Sequence, residues 1–384
     1  MRPLIAGAGG DDNVGGARIC GPATQLLPMR VIHLARYAGP YPGSFIAMLR
    51  AAAAACERRG WRTEAVFDPV AADRPWYAEL GREMPVRVGR RDAGFVRSVL
   101  EEEDGAAILH THFTGFDMAA AAAARGRPDT AVVWHLHTRL DPGARAALRN
   151  AVKFTVVGRR VSRIVSAGPE VAAVARRRLA PRSRLEVLDN AIDTSRFPLA
   201  GPPERAAARA ELAVPNGAPV LVHLGWNWAM KGGPLFEATA EVLHRRGVEA
   251  VPVSVGASPE AAGDGIITRP PSDHVERLYA AADVLVSASE AEGGPFSVLE
   301  ALCVGTPVVA SPRANAGVGG VVDACRVAER TPEAFADAIQ ETLARTPQQA
   351  EVERQAAREY VTRERDMRAW AERLADIYEG ALPR

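Results

Sequence analysis

Two doubly wound α/β domains facing a central cleft are what this sequence predicts, on three observations. Short, nearly continuous apolar runs alternate with helical patterns, as strands buried on both faces of a parallel sheet must read. A Pro-rich segment at 197–219 interrupts that alternation, which then restarts. A length of 384 residues suits two domains better than one.

Taken in order, residues 1–28 stand apart. They include "GAGGDDNVGG", which has no periodicity, completes no G-x-G-x-x-G and follows no strand. The segment lacks the basic start and apolar run of a secretory signal, so a flexible leader is expected. From Met29 the pattern gives a strand at 30–35 ("RVIHLA"), then the helix "FIAMLRAAAAACERRG" closed by Gly60. Further strands are expected at 62–67, 106–112, 131–138, 154–158, 163–168 and 184–192, while 70–95 and 112–118 read as loops. After a linker carrying one helix come strands at 220–225, 250–256, 265–269, 283–289 and 307–311. Helices are expected at 233–246, 273–281 and 296–304, and a helical tail covers 333–345 and 348–380. This places the domains at 29–195 and 196–360, with a C-terminal helix at 361–384. Ligands of such sheets bind beyond the carboxyl ends of the strands, so both sets of ends border one cleft.

Composition narrows the classes. Hydrophobic residues make up 47% and charged residues 24%, an ordinary globular balance. No run approaches the roughly 18 apolar residues of a membrane span. The four cysteines are scattered, which argues against a disulfide framework or zinc site and for a reducing, cytoplasmic setting. Residues 1–195 carry 28 Lys and Arg against 20 Asp and Glu, whereas 196–384 carry 19 against 26. The most basic stretch, 139–163, has two readings: a solvated arginine face, or peripheral contact with an anionic membrane or substrate. No nucleic-acid partner is expected.

"EAEGGPFSVLEALCVGTPVVAS" (290–311) carries the chemistry. Glu292 falls just past a strand end, Gly293, Gly294 and Pro295 form a turn, and helix 296–304 opens with unpaired N–H groups near Phe296 and Ser297. Such a helix end attracts phosphate or sugar oxygens. Glu300 lies about one turn further in. Two carboxylates flanking an anion-binding turn suit a nucleotide sugar, with hydroxyls at both ends and phosphate between. A capping carboxylate plus a surface glutamate is the plainer alternative.

The full string resembles the signature of family 4 retaining glycosyltransferases (glycosyl transferases group 1), which have the GT-B fold. Their E-G-x-P-x-x-x-x-E-A followed by G-x-P-V-V-A-S is matched by Glu292, Gly293, Pro295, Glu300, Ala301, Gly305, Pro307, Val308, Val309, Ala310 and Ser311. "LGWNWAMKGG" (224–233) resembles the family's G-R-x-x-x-x-K-G at Gly225, Lys231 and Gly232, with Trp226 where Arg is usual. "NAIDTSRF" (190–197) resembles N-G-V-D-x-x-x-F, with Ala191 for Gly. "YAGPYPGSF" (37–45) occupies the first loop, with Gly43 and Ser44 at its tip where the family has two glycines. The tail resembles the family's helix that crosses back onto the first domain.

The resemblance implies transfer of a sugar, with retention, from a nucleotide-sugar donor to a small-molecule or lipid-linked acceptor. A UDP-sugar is the expected co-substrate and no cofactor is expected. It implies Glu292 on the sugar, Glu300 on the ribose, and Lys231 with the helix N-terminus on the diphosphate. Gly43, Ser44, Gly225, Gly294 and Pro295 are expected to add to the donor site. His137 is expected at the donor sugar from the other domain, with His112 and Asn190 on the acceptor side. Four histidines, His110, His112, His135 and His137, sit as i, i+2 pairs at two strand ends. Sugar binding, burial in the core, and a metal site are the three readings. No Asp-x-Asp pair occurs in the chain, which fits metal-independent transfer. No second carboxylate stands out in the first domain to serve double displacement, so the resemblance implies front-face attack, the leaving diphosphate taking the acceptor proton. Rival readings are a nucleotide-sugar epimerase or phosphorylase of the same fold, or a non-catalytic binding module.

Overall fold

The computed structural model describes residues 29–382 except 40, 138, 139, 141, 142, 216, 226, 273, 291 and 316. The expected leader 1–28 and Trp226 lie outside the described residues. Seven strands form the first sheet: β1 (Arg30–Ala35), β2 (Arg62–Phe67), β3 (Val86–Val88), β4 (Ala107–His112), β5 (Thr130–Leu136), β6 (Arg163–Ser166) and β7 (Leu185–Val187). Their order is β3-β2-β1-β4-β5-β6-β7. Six strands form the second: β8 (Val220–Leu224), β9 (Val251–Val255), β10 (Ile267–Arg269), β11 (Val284–Ser287), β12 (Val308–Ala310) and β13 (Cys325–Val327), in the order β10-β9-β8-β11-β12-β13. Every pairing is parallel.

Strand order reverses between β1 and β4 in one sheet and between β8 and β11 in the other. At such a switch point the loops leave in opposite directions and open a crevice. The connections after β4, β8 and β11 carry Phe113, Lys231 and Glu292, and the helix that follows β1 carries Ser44 in its first turn. The two topologies therefore dictate which parts of the sequence meet in the cleft.

Three expectations need correction. Residues 154–158 are not a strand: Lys153–Val157 forms a wide helical turn continuing the helix Ala144–Val152. β6 already occupies the place beside β5, so this apolar run has no partner strand, and Phe154 buries itself in the core instead. The supposed loop 70–95 contains a short 3-10 turn, the helix Pro75–Leu80 and edge strand β3. These pieces are too short to show a period, and Trp76 and Tyr77 belong to them. Trp76 is buried, its Nε1 donating to the Gly39 carbonyl at 2.9 Å, so it serves the core. The tail is two helices, Pro347–Glu364 and Met367–Ala381, broken at Arg365–Asp366.

That break has a cause. Asp366 caps the last helix through the amides of Arg368 and Ala369 and accepts from Thr194 Oγ1 at 2.7 Å. Arg365 pairs with Asp189 at 3.1 Å. Met367, Trp370, Leu374 and Tyr378 then pack on Val31, Ile108 and Val133 of the first sheet. Burying a side chain of this size is worth roughly 1.5–3 kcal/mol, so the end of the chain helps hold its beginning.

Candidate active site

A cavity of about 630 Å³ lies between the carboxyl ends of the two sheets. Gly43, Ser44, His137 and Asn190 line it from one side. Lys231, Glu292, Gly293, Gly294, Pro295, Phe296, Ser297 and Glu300 line it from the other. Gly225 and His112, expected in contact with donor and acceptor, do not line it. Gly225 sits against Ser254 and His223 at the end of β8, and His112 lies buried behind His137.

The helix Phe296–Val304 begins at Pro295 with no side chain capping its first amides. Those N–H groups and the positive end of the helix dipole are left for a ligand. Gly294 has φ +113°, outside the range of other residues, and its carbonyl accepts from Asn190 Nδ2 at 2.9 Å. Asn190 thus ties the turn to the first domain, while its buried Oδ1 has no partner. Phe296 is half-buried and packs against cores of both halves.

Lys231 Nζ donates to Glu292 Oε1 at 2.5 Å, both side chains mostly buried. The Lys231 carbonyl meets His223 Nε2 at 3.0 Å. Next to it, Gly232 has φ +79°, and a Cβ there would come within 2.3 Å of the Ala288 carbonyl oxygen. Glu300 accepts from Tyr279 Oη at 2.8 Å and, across the cleft, from Ser44 Oγ at 3.2 Å. Burial pushes its carboxyl above the ordinary range, opposed by those two hydrogen bonds and by the charge of Arg196.

Behind His137 lies a ladder of five histidines, His33 joining the four expected. His33 pairs with His110 across β1 and β4, and His112 with His135 across β4 and β5, so register puts all five on one sheet face. His33 Nδ1 meets His112 Nε2 at 2.9 Å, and His112 Nδ1 meets His137 Nε2 at 2.8 Å. His110 Nδ1 meets Tyr378 Oη at 2.6 Å. Burial lowers all five pKa values, to about 3 for His33 and His137, so the rings are neutral near pH 7. A neutral imidazole has one N–H. If the chain donates from His33 towards His137, His33 Nε2 is left as an unpartnered acceptor and His137 keeps its proton on Nδ1. Donation the other way leaves His33 with a buried N–H and no acceptor. Orphaned buried donors are the rarer and costlier case. Hydrogen-bond accounting therefore assigns His137 as the Nδ1–H tautomer.

Two trios, His33–His110–His112 and His112–His135–His137, bring ring nitrogens within 4.8 Å of one another. Both share His112, whose two nitrogens are already committed to His33 and His137. An ion in either trio has to break that chain.

Several residues in or behind the cleft lie outside the sequence motifs. Tyr279, buried beneath the cleft, orients Glu300 from within the helix expected at 273–281. Arg196 lines the cavity from inside "NAIDTSRF", at a position that the pattern N-G-V-D-x-x-x-F leaves open. Tyr37, Tyr41, Phe45 and Phe113 make the first domain's wall aromatic. His33 had a signal: it is the one uncharged polar residue in an otherwise apolar central strand core.

Two parallel, doubly wound sheets closing on this cleft define the GT-B glycosyltransferase architecture. Anabaena HepE, solved with UDP, superposes with TM-score 0.77 at 17% identity, covering 91% of this chain and 100% of that one. A glycosyltransferase from Rickettsia africae gives 0.76 at 13% identity, covering 93% and 99%. At these identities the likeness concerns the fold. Two family descriptions match in tandem: Glycosyltransferase Family 4 over residues 46–196 and Glycosyl transferases group 1 over residues 218–345. The chain belongs to this group 1, family 4 class of glycosyltransferases.

Among curated relatives, the D-inositol 3-phosphate glycosyltransferase of Geodermatophilus obscurus is 37% identical over 194 residues, 43% of this chain and 41% of the relative. Its namesake in Nocardia farcinica is 30% identical over 167 residues, 38% of this chain and 35% of the relative. The match thus spans well under half the length of these relatives.

Proposed function

We propose that the protein transfers a glycosyl group from a nucleoside-diphosphate sugar, a UDP-sugar, to an acceptor hydroxyl with retention of configuration and without a metal ion. One observation carries this reading: an uncapped helix N-terminus, a lysine and two carboxylates converge in one cavity, with a serine and a histidine facing them from the other domain. Support for the donor comes from HepE, solved with UDP, with UDP and glucose, and with UDP-glucose.

Lys231 and the amides of Phe296 and Ser297 take the diphosphate, whose charge grows as the sugar leaves. Glu300 accepts from the ribose hydroxyls, with Tyr279 fixing its other oxygen. Glu292 accepts from the sugar, and His137 donates to it from Nδ1. The carboxylates lining the cavity, Glu292 and Glu300, both come from the second domain. Glu292 is held by Lys231, which favours front-face transfer over a covalent intermediate. The protein then acts by positioning and by electrostatics.

The acceptor is a small hydroxylated molecule or a lipid-linked one. The curated relatives' name points to a cyclitol phosphate, whereas the aromatic wall suits stacking on a ring or an apolar chain. Incubating the protein with UDP-sugars and candidate acceptors, and following UDP release with product mass, tests the reading. Coupled release and glycosylated product, persisting in excess chelator, are expected. Conversion of the donor alone marks an epimerase, phosphate-dependent release a phosphorylase, and binding without turnover a non-catalytic module.

A further inference from the structure

The helix Ala144–Val152 and the wide turn Lys153–Val157 carry an exposed apolar stripe that serves no part of the cleft. Leu148 is 68% exposed, Val152 52% and Val156 58%. Residues spaced by four drift about 40° around an α-helix. The wide turn, closed by the i→i+5 hydrogen bond from Gly158 N to the Lys153 carbonyl at 2.9 Å, draws Val156 back towards the line of the other two. Met118, 53% exposed, is the neighbour of Asp117, which pairs with Lys153 and so ties the two helices together.

Charge accompanies the stripe. No Asp or Glu occurs from 142 to 169, a span holding Arg145, Arg149, Lys153, Arg159, Arg160 and Arg163. Arg145, Arg159 and Arg160 are exposed. Lys153 is turned inward onto Asp117, and Arg163 pairs with Glu186 at 2.8 Å.

We propose that this face docks on an anionic lipid bilayer, Leu148, Val152 and Val156 entering the headgroup boundary and Arg145, Arg159 and Arg160 meeting lipid phosphates. An exposed apolar line flanked by cations with no acid between is the pattern of a helix lying in a membrane interface. A soluble protein partner would be met by the apolar line alone; the acid-free flank selects a surface of fixed negative charge. In one respect this deepens the proposed function and rests on it: a protein docked at the bilayer is suited to the lipid-linked acceptor.

The test is co-sedimentation of the full chain with vesicles, without substrates, so that its result stands apart from transfer. Vesicles of phosphatidylcholine alone are compared with vesicles containing phosphatidylglycerol. Binding to the anionic vesicles only, abolished by high salt, is expected. Arg145→Glu with Arg159→Glu should weaken it by at least roughly fivefold per lost cation. Val152→Asp should weaken it roughly tenfold or more, with UDP binding unchanged as the control for folding. The proposal is overturned if the chain stays in the supernatant, if both vesicle types bind equally, or if the variants sediment like wild type. It is also overturned if Leu148→Asp converts a dimer to a monomer while sedimentation is unaffected, since the stripe would then join two copies of the chain.

Discussion

At the scale of single residues, the cleft is arranged so that each ligand-facing group is oriented by a second side chain. Lys231 is held by Glu292, and its position replaces the freedom a long amine would otherwise have. Lys231→Ala should lower the transfer rate roughly 10²-fold, the scale of losing one donor to developing charge. Steady-state kinetics check this, and an unchanged kcat would remove the lysine from the diphosphate. His137 is oriented by His112, which itself accepts from His33. His112→Leu frees the His137 tautomer and should reduce kcat about tenfold, the worth of one hydrogen bond of ~1.4 kcal/mol. KM for the donor should move little, whereas a merely structural loss would lower the melting temperature and leave kcat per folded molecule intact.

Elements set what those residues can reach. Gly232 opens the helix Gly233–Arg245 in a left-handed conformation, pressed against the Ala288 carbonyl. Gly232→Ala should destabilise the second domain by roughly 2 kcal/mol or more, through backbone strain and steric overlap. Thermal unfolding measures it. In the first sheet, the histidine ladder makes stability depend on pH. Folded pKa values lie below the unfolded value near 6.5, so the unfolded chain binds more protons once pH falls below that value. Stability should therefore be full above about pH 6.5 and drop on acidification. Each histidine contributes up to about 1.4 kcal/mol per pH unit, down to about pH 3 for His33 and His137. Denaturant midpoints at pH 7 and pH 5.5 that coincide would contradict the buried, neutral ladder.

How far the sequence announced these elements follows from their size. Helix 296–304 and strand 30–35 were legible to the residue because long apolar runs between turn residues leave one solution. β3 and β13 have three residues each, too few for any period. Residues 154–158 misled because a short β-branched run looks alike in a strand and in a buried helical turn. The tandem of Glu292, the Gly-Gly-Pro turn and Glu300 was legible as chemistry. The hydrogen bond that Ser44 gives Glu300 was not, since it joins segments far apart in the chain, and Tyr279 reads in sequence only as a core residue of its helix.

For the whole molecule, the two halves meet at several points. Asn190 bonds the Gly294 carbonyl, Ser44 bonds Glu300, and the paired crossings at Ile192 and Asp366 bring the last helix back to the first sheet. The first two contacts lie inside the cleft, where a nucleotide would sit. On the proposed reading, ribose hydroxyls at Glu300 would compete with or share the oxygen that Ser44 holds, which would couple ligand entry to the relative placement of the domains. The reading of the whole cleft turns on Glu300. Calorimetric titration of UDP into the wild type and into Glu300→Ala measures it most directly. A single site in the wild type, weakened roughly tenfold or more in the variant, is the predicted result. Equal affinity in the two proteins, with both folded, would contradict the placement of the nucleotide at the helix that starts at Phe296.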